Sequence, residues 1–142
     1  MFSKANLVST LVLTIWGVGG GYLLWGILAD PFFTDHVVTD GLMKDPPDMV
    51  HLIIGCLIQA FAFSSIYQRF GSGSYGAGSG LSMGIWIAIM VGLGEGLVDF
   101  ATSNILDLHG TFVNCVIYLI FFGIMGLLAG LIYGKMARPT TA

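Results

Sequence analysis

The sequence predicts an all-α integral membrane protein, a bundle of four spanning helices in up-down order. Three observations carry that prediction. The 142 residues are 56% hydrophobic and only 9% charged, where a soluble domain carries about 25% charge. Four stretches of roughly 20 apolar residues recur, each long enough to cross a bilayer. Short polar connections separate them, and lipid tolerates only chains whose backbone groups are paired internally. The spans take up most of the chain, so the sequence reads as a single transmembrane domain over 1–142 with no separate soluble unit.

The first span, 7–29, contains no Asp, Glu, Lys, Arg or His. It exceeds the apolar core of a secretory signal, and no small-x-small cleavage site precedes Asp30, so it is expected to be retained. The second, 49–67, holds one charged or imidazole group, His51. The third, 81–101, carries Glu95 and Asp99, and the fourth, 111–133, carries no acid or base. Lys4, Arg69, Lys135 and Arg138 fall on one side of these spans and only Lys44 on the other. The bias predicts cytoplasmic N and C termini. Asp30, Asp35, Asp40, Asp45, Asp48 and Asp107, with His36, His51 and His109, then lie on the outer side.

The outer connection 30–48 contains Phe32 and Phe33, expected at headgroup level, and the run Asp45-Pro46-Pro47-Asp48. That run reads as a helix start with Asp45 as cap, Pro46 in the first position and Asp48 in the third. The inner connection 69–79 is rich in Gly and Ser, including Ser72 and Gly73, and reads as a flexible turn. Its Gly71, Gly73 and Gly76 resemble a dinucleotide fingerprint only in spacing, because no strand precedes them.

Glycines recur every four residues inside the spans: Gly17 and Gly21; Gly76, Gly80 and Gly84; Gly92 and Gly96; Gly126, Gly130 and Gly134. Such ridges let helices approach closely in lipid. They serve either packing within one chain or an interface between chains, and their number favours association. Cys56 and Cys115 sit at similar depths, as free thiols or as a pair.

Intramembrane carboxylates are functional candidates by default. Glu95 and Asp99 lie one turn apart, with Glu95 roughly 10 Å from the outer end of its helix at 1.5 Å per residue. His51, Gln59 and Asn114 fall at depths where they could join them. Such a cluster suits proton transfer, cation binding or a hydrogen-bonded packing core. No catalytic set, metal-ligand spacing or cofactor motif is present, so an intramembrane enzyme stays open as a third reading with little support. Five scattered basic residues exclude a nucleic-acid surface.

Pro47-Asp48 before the second span, the Gly/Ser turn into a Gly-rich third span, the stretch Ala101-Thr102-Ser103-Asn104-Ile105-Leu106-Asp107-Leu108 and the Gly126–Gly130 ridge have a parallel elsewhere. Together they resemble small four-helix inner-membrane proteins of Bacteroidetes-type bacteria, a family without an established activity. The resemblance implies an inner-membrane protein and transfers no residue roles. The expectation is therefore a non-enzymatic membrane component whose partners are the bilayer and copies of itself or other membrane subunits. The alternative is a proton or cation channel or transporter using Glu95 and Asp99.

Overall fold

The structure, a computed structural model, describes residues 3–41, 44, 46–71 and 74–136. Four of its helices are long and apolar enough to cross a membrane: Lys4–Leu28, Met49–Phe70, Ala77–Thr102 and Leu108–Met136. Arg138, Asp45, Ser72 and Gly73 lie outside the described residues.

Helix α1 (Lys4–Gly21) is capped by Ser3, whose hydroxyl accepts the Asn6 amide at 3.1 Å. It runs on through π-helical turns over Tyr22–Leu28 and ends at the short α2 (Asp30–Phe33). Helix α3 (Met49–Phe70) begins later than the sequence suggests. Asp48 is its cap, accepting the His51 amide at 3.3 Å, rather than its third residue. The reason is steric: Pro47 disfavours helical geometry at Pro46, which favours a later start. Helix α4 (Ala77–Ala88) starts four residues before the expected span, because Ser79 accepts the Gly76 amide at 3.1 Å and closes the end. It continues through π-helical Ile89–Glu95 into α5 (Gly96–Thr102). Helix α6 (Leu108–Met136) is the last of the described elements.

Half of the most apolar window of α6 is buried, against about a fifth in the other three spans, so α6 is the central rod. Helices α1 and α4 pack along it, and α3 packs along α1. Helix α3 forms no substantial interface with α4, its π continuation or α5. The packing order is therefore α3–α1–α6–α4, its two outer members meeting at the end where Tyr67 reaches Gly76 and Ser79 and open along the rest. Phe63, Phe122, Met125 and Leu13 fill the core, with Trp16 stacked on Phe121 at 6.0 Å.

The tightest contact is backbone on backbone. A Cβ on Gly80 would fall inside the Gly126 carbonyl oxygen, one on Gly84 inside that of Phe122, and one on Gly130 inside that of Gly76. The stripe continues as Ala88, fully buried, then Gly92 against Tyr118 and Cys115, then Gly96 against Thr111. This ridge therefore packs one protomer rather than two. Gly134, at its end, has ordinary clearance, with Tyr75 O at 3.4 Å from a hypothetical Cβ. A four-residue repeat outruns a regular helix by about 40° per step, roughly 160° from Gly80 to Gly96. Straight α-helix would carry the stripe off its partner. The π turns at Ile89–Glu95, which close over five residues rather than four, take up much of that drift and keep Gly92 and Gly96 on α6.

Cys56 and Cys115 are both free thiols. Cys56 abuts Gly17 across the α1–α3 crossing, where its Cβ lies 3.2 Å from a hypothetical glycine Cβ.

Candidate functional site

Glu95 closes the π-helical stretch and Asp99 lies one turn into α5. Both are exposed on the protomer, and neither carboxylate has a hydrogen bond or ion pair to another described residue. His51 is on the opposite outer helix. Its Nδ1 meets Asp48 Oδ2 at 2.8 Å and its side chain is 82% exposed. Gln59, two turns along α3, is exposed as well. Asn114 on α6 is half-buried, its Oδ1 accepting the Trp25 indole N–H at 2.8 Å. Within the protomer the five residues do not form one cluster: the two acids stay together and the other three have separate surroundings.

Two features escape sequence reasoning. The first is a roof over the end of the molecule that carries the 29–48 and 103–107 connections. Val37 and Leu106 form an antiparallel bridge, with Val38 N donating to Ile105 O at 2.9 Å and Asp107 N to His36 O at 3.0 Å. His36 Nδ1 donates to Asp107 Oδ2 at 2.7 Å. The His36 ring stacks on Phe32 at 4.3 Å and stands edge-on to His109 at 4.8 Å. Asp107 Oδ1 also accepts the Gly110 amide at 2.7 Å and so caps α6. The spacing Asp107-Leu-His-Gly110 is the only sequence signal for this. Among the described residues, no three His, Cys, Asp or Glu side chains group as a metal site.

The Gly110 amide, and after it His36, hold the Asp107 carboxyl below its ordinary value. A carboxyl whose pKa falls on folding stabilises the fold above its unfolded value, and that contribution disappears as pH falls through the lowered folded value. The Gly110 amide resonance should accordingly stay constant from neutral pH through the ordinary aspartate range and shift only below it. In Asp107→Ala it should take the shifted position at every pH. Titration at the ordinary aspartate value would overturn this account.

Beneath the roof lies a cavity of about 530 Å³. Trp25, Phe33, Val37, Ile105, Leu106 and Tyr118 supply its apolar wall, and Asp30, Thr34, Thr39, Asp40 and Asn114 its polar one. Gly41, also on the wall, turns the chain with a φ of 77°, a conformation that favours glycine. Trp25 stands in the π turns of the first span and meets Tyr118 and Phe121 edge-on at 5.0 and 5.3 Å.

The second feature is a polar cluster, buried around Asn6 and Ser64, at the opposite end, beside the start of α1 and the end of α6. Asn6 Nδ2 donates to Ser64 Oγ and Ser65 Oγ, each at 3.2 Å, and Ser64 Oγ meets Tyr133 Oη at 3.0 Å. Tyr67 Oη meets Ser79 Oγ at 2.8 Å, and Tyr67 and Tyr133 pack edge-on at 5.4 Å. All four spans contribute. Asn6 and Ser64 are fully buried. No known protein family, curated protein or solved structure matches the chain, so what these sites do rests on their chemistry alone.

Proposed function

We propose that the chain is a non-enzymatic subunit of a homo-oligomeric or larger assembly in the bacterial inner membrane, with both termini cytoplasmic. One observation carries the reading: Glu95 and Asp99 are exposed on a helix long and apolar enough to span a membrane, and neither carboxylate is hydrogen-bonded or ion-paired to another described residue. An ionised side chain facing lipid costs about 2.5–3.5 kcal/mol at the helix centre and less toward the interface. A neighbouring subunit that supplies donors removes that cost. Lys4, Arg69 and Lys135 on the terminus end and Lys44 on the other support the orientation. The purified chain is expected to show the mass of two or more protomers in mild detergent, and Glu95→Lys to shift it toward monomer. A monomeric wild type, or an unchanged mass in Glu95→Lys, would overturn the proposal.

The second reading, a proton or cation channel or transporter, is favoured by the same orientation, because copies meeting at that face would line a path with acids. It predicts ion flux in liposomes that falls at least tenfold in Glu95→Gln/Asp99→Asn while the oligomer persists. The passive reading predicts flux at the level of empty vesicles for both proteins.

A further inference from the structure

The cavity beneath the roof combines two properties that occur together for a reason. Trp25, Phe33 and Tyr118 present aromatic surface to it, and Asp30 and Asp40 present carboxylates. Among the described residues, neither carboxylate has a hydrogen-bond or ion-pair partner and no Lys, Arg or His lines the space. Its volume of about 530 Å³ lies within the range of small-molecule pockets, roughly 300–1,000 Å³. An anion would be repelled by both acids. A hydrated inorganic cation would gain nothing from the apolar wall, and among the described residues no third His, Cys, Asp or Glu joins the two acids as a metal ligand. A cation that is itself greasy satisfies both halves, since alkylammonium groups bind the faces of Trp, Tyr and Phe and are neutralised by nearby carboxylates. Trp25 is well held for that task, because its N–H is bonded to Asn114 and its ring is wedged edge-on by Tyr118 and Phe121.

We propose that this pocket binds a free single-chain organic ammonium, its headgroup between the aromatic rings and Asp30 and Asp40 and its chain along Ile105 and Leu106. Every residue involved belongs to one protomer, so the site stands or falls independently of how protomers assemble. A zwitterionic phospholipid fits less well, because its phosphate would face the same two acids.

The experiment is calorimetry on the full chain in maltoside micelles with octyltrimethylammonium as probe. Saturable binding is expected, at least tenfold weaker in Asp30→Asn/Asp40→Asn, two exposed positions whose replacement leaves helix content unchanged. Leu106→Trp, which fills the pocket from its apolar side, should abolish binding independently. Non-saturable uptake, equal affinity for octanoate, or full affinity in the double Asn variant would overturn the proposal. Competition by short-chain phosphatidylcholine at comparable concentration would assign the pocket to a lipid headgroup and overturn it as well.

Discussion

Gly126→Ala is expected to destabilise the fold by about 1–3 kcal/mol, although alanine is the better helix former by roughly 0.5–1 kcal/mol. The added methyl would collide with the Gly80 carbonyl oxygen and come within 2.9 Å of the Gly80 carbonyl carbon and 3.0 Å of the Gly84 amide nitrogen. These are backbone atoms, so no rotamer change relieves the clash and the two helices must separate. Separation spreads: Gly84, Ala88 and Gly92 lose their contacts on α6 with it. In lipid this matters more than in water, because van der Waals contact, not apolar burial, holds helices together. The internal control is the same substitution where a Cβ meets nothing within 4 Å, at Gly55 or Gly78. Those variants should be neutral or slightly stabilised. Unfolding in mixed micelles, followed by circular dichroism, gives the comparison. Gly126→Ala matching Gly78→Ala in stability would refute the backbone contact.

The number and approximate place of the spans were legible because apolar length is a direct bilayer requirement. The boundaries were less so. The start of α3 turned on the effect of Pro47 on Pro46, and the start of α4 on a bond from the Gly76 amide to Ser79, three residues on. Four-residue glycine spacing was visible, but not which helix would receive it. That depended on the π turns at Ile89–Glu95, which no propensity at those residues announces. Glu95 and Asp99 stood out because acids are rare in lipid, whereas His51 and Asn114 were grouped with them on depth alone. Depth fixes height along the bundle, not azimuth around it, and α3 and the α4–α5 rod stand at opposite edges of the packing. The cavity was hidden for a related reason: its walls come from three separate stretches of chain, near 25–41, 105–106 and 114–118.

Asn6→Ala is expected to cost about 1–3 kcal/mol, a range set by leaving buried partners unsatisfied. The amide donates to Ser64 and Ser65 on α3 and sits fully buried beside Tyr133 of α6. Interhelical hydrogen bonds in membranes average about 0.6 kcal/mol and reach about 1.7, so the lost bonds plus a cavity fill that range. Tyr133→Phe removes only a hydroxyl, which meets Ser64 and also bonds the Asn6 side chain, and should cost less. Because the two side chains share Ser64 and bond each other, the double variant should fall short of the sum of the singles. Strict additivity in the same micelle unfolding assay would show that the two are not one network. The cluster bears on function through what it makes unnecessary. A polar knot joining all four spans was one role open to Glu95 and Asp99, yet the knot is tied at the other end of the bundle by neutral side chains. On the proposed reading the two acids are not what holds their own protomer together, since neither carboxylate is bonded to another described residue, and a charge kept in such a helix points to something outside it. Asn6→Ala should therefore weaken the fold and leave the effect of Glu95→Lys on oligomer mass intact. If Asn6→Ala alone splits the oligomer while the protomer stays folded, assembly runs through the neutral cluster and the assignment of the acidic face fails.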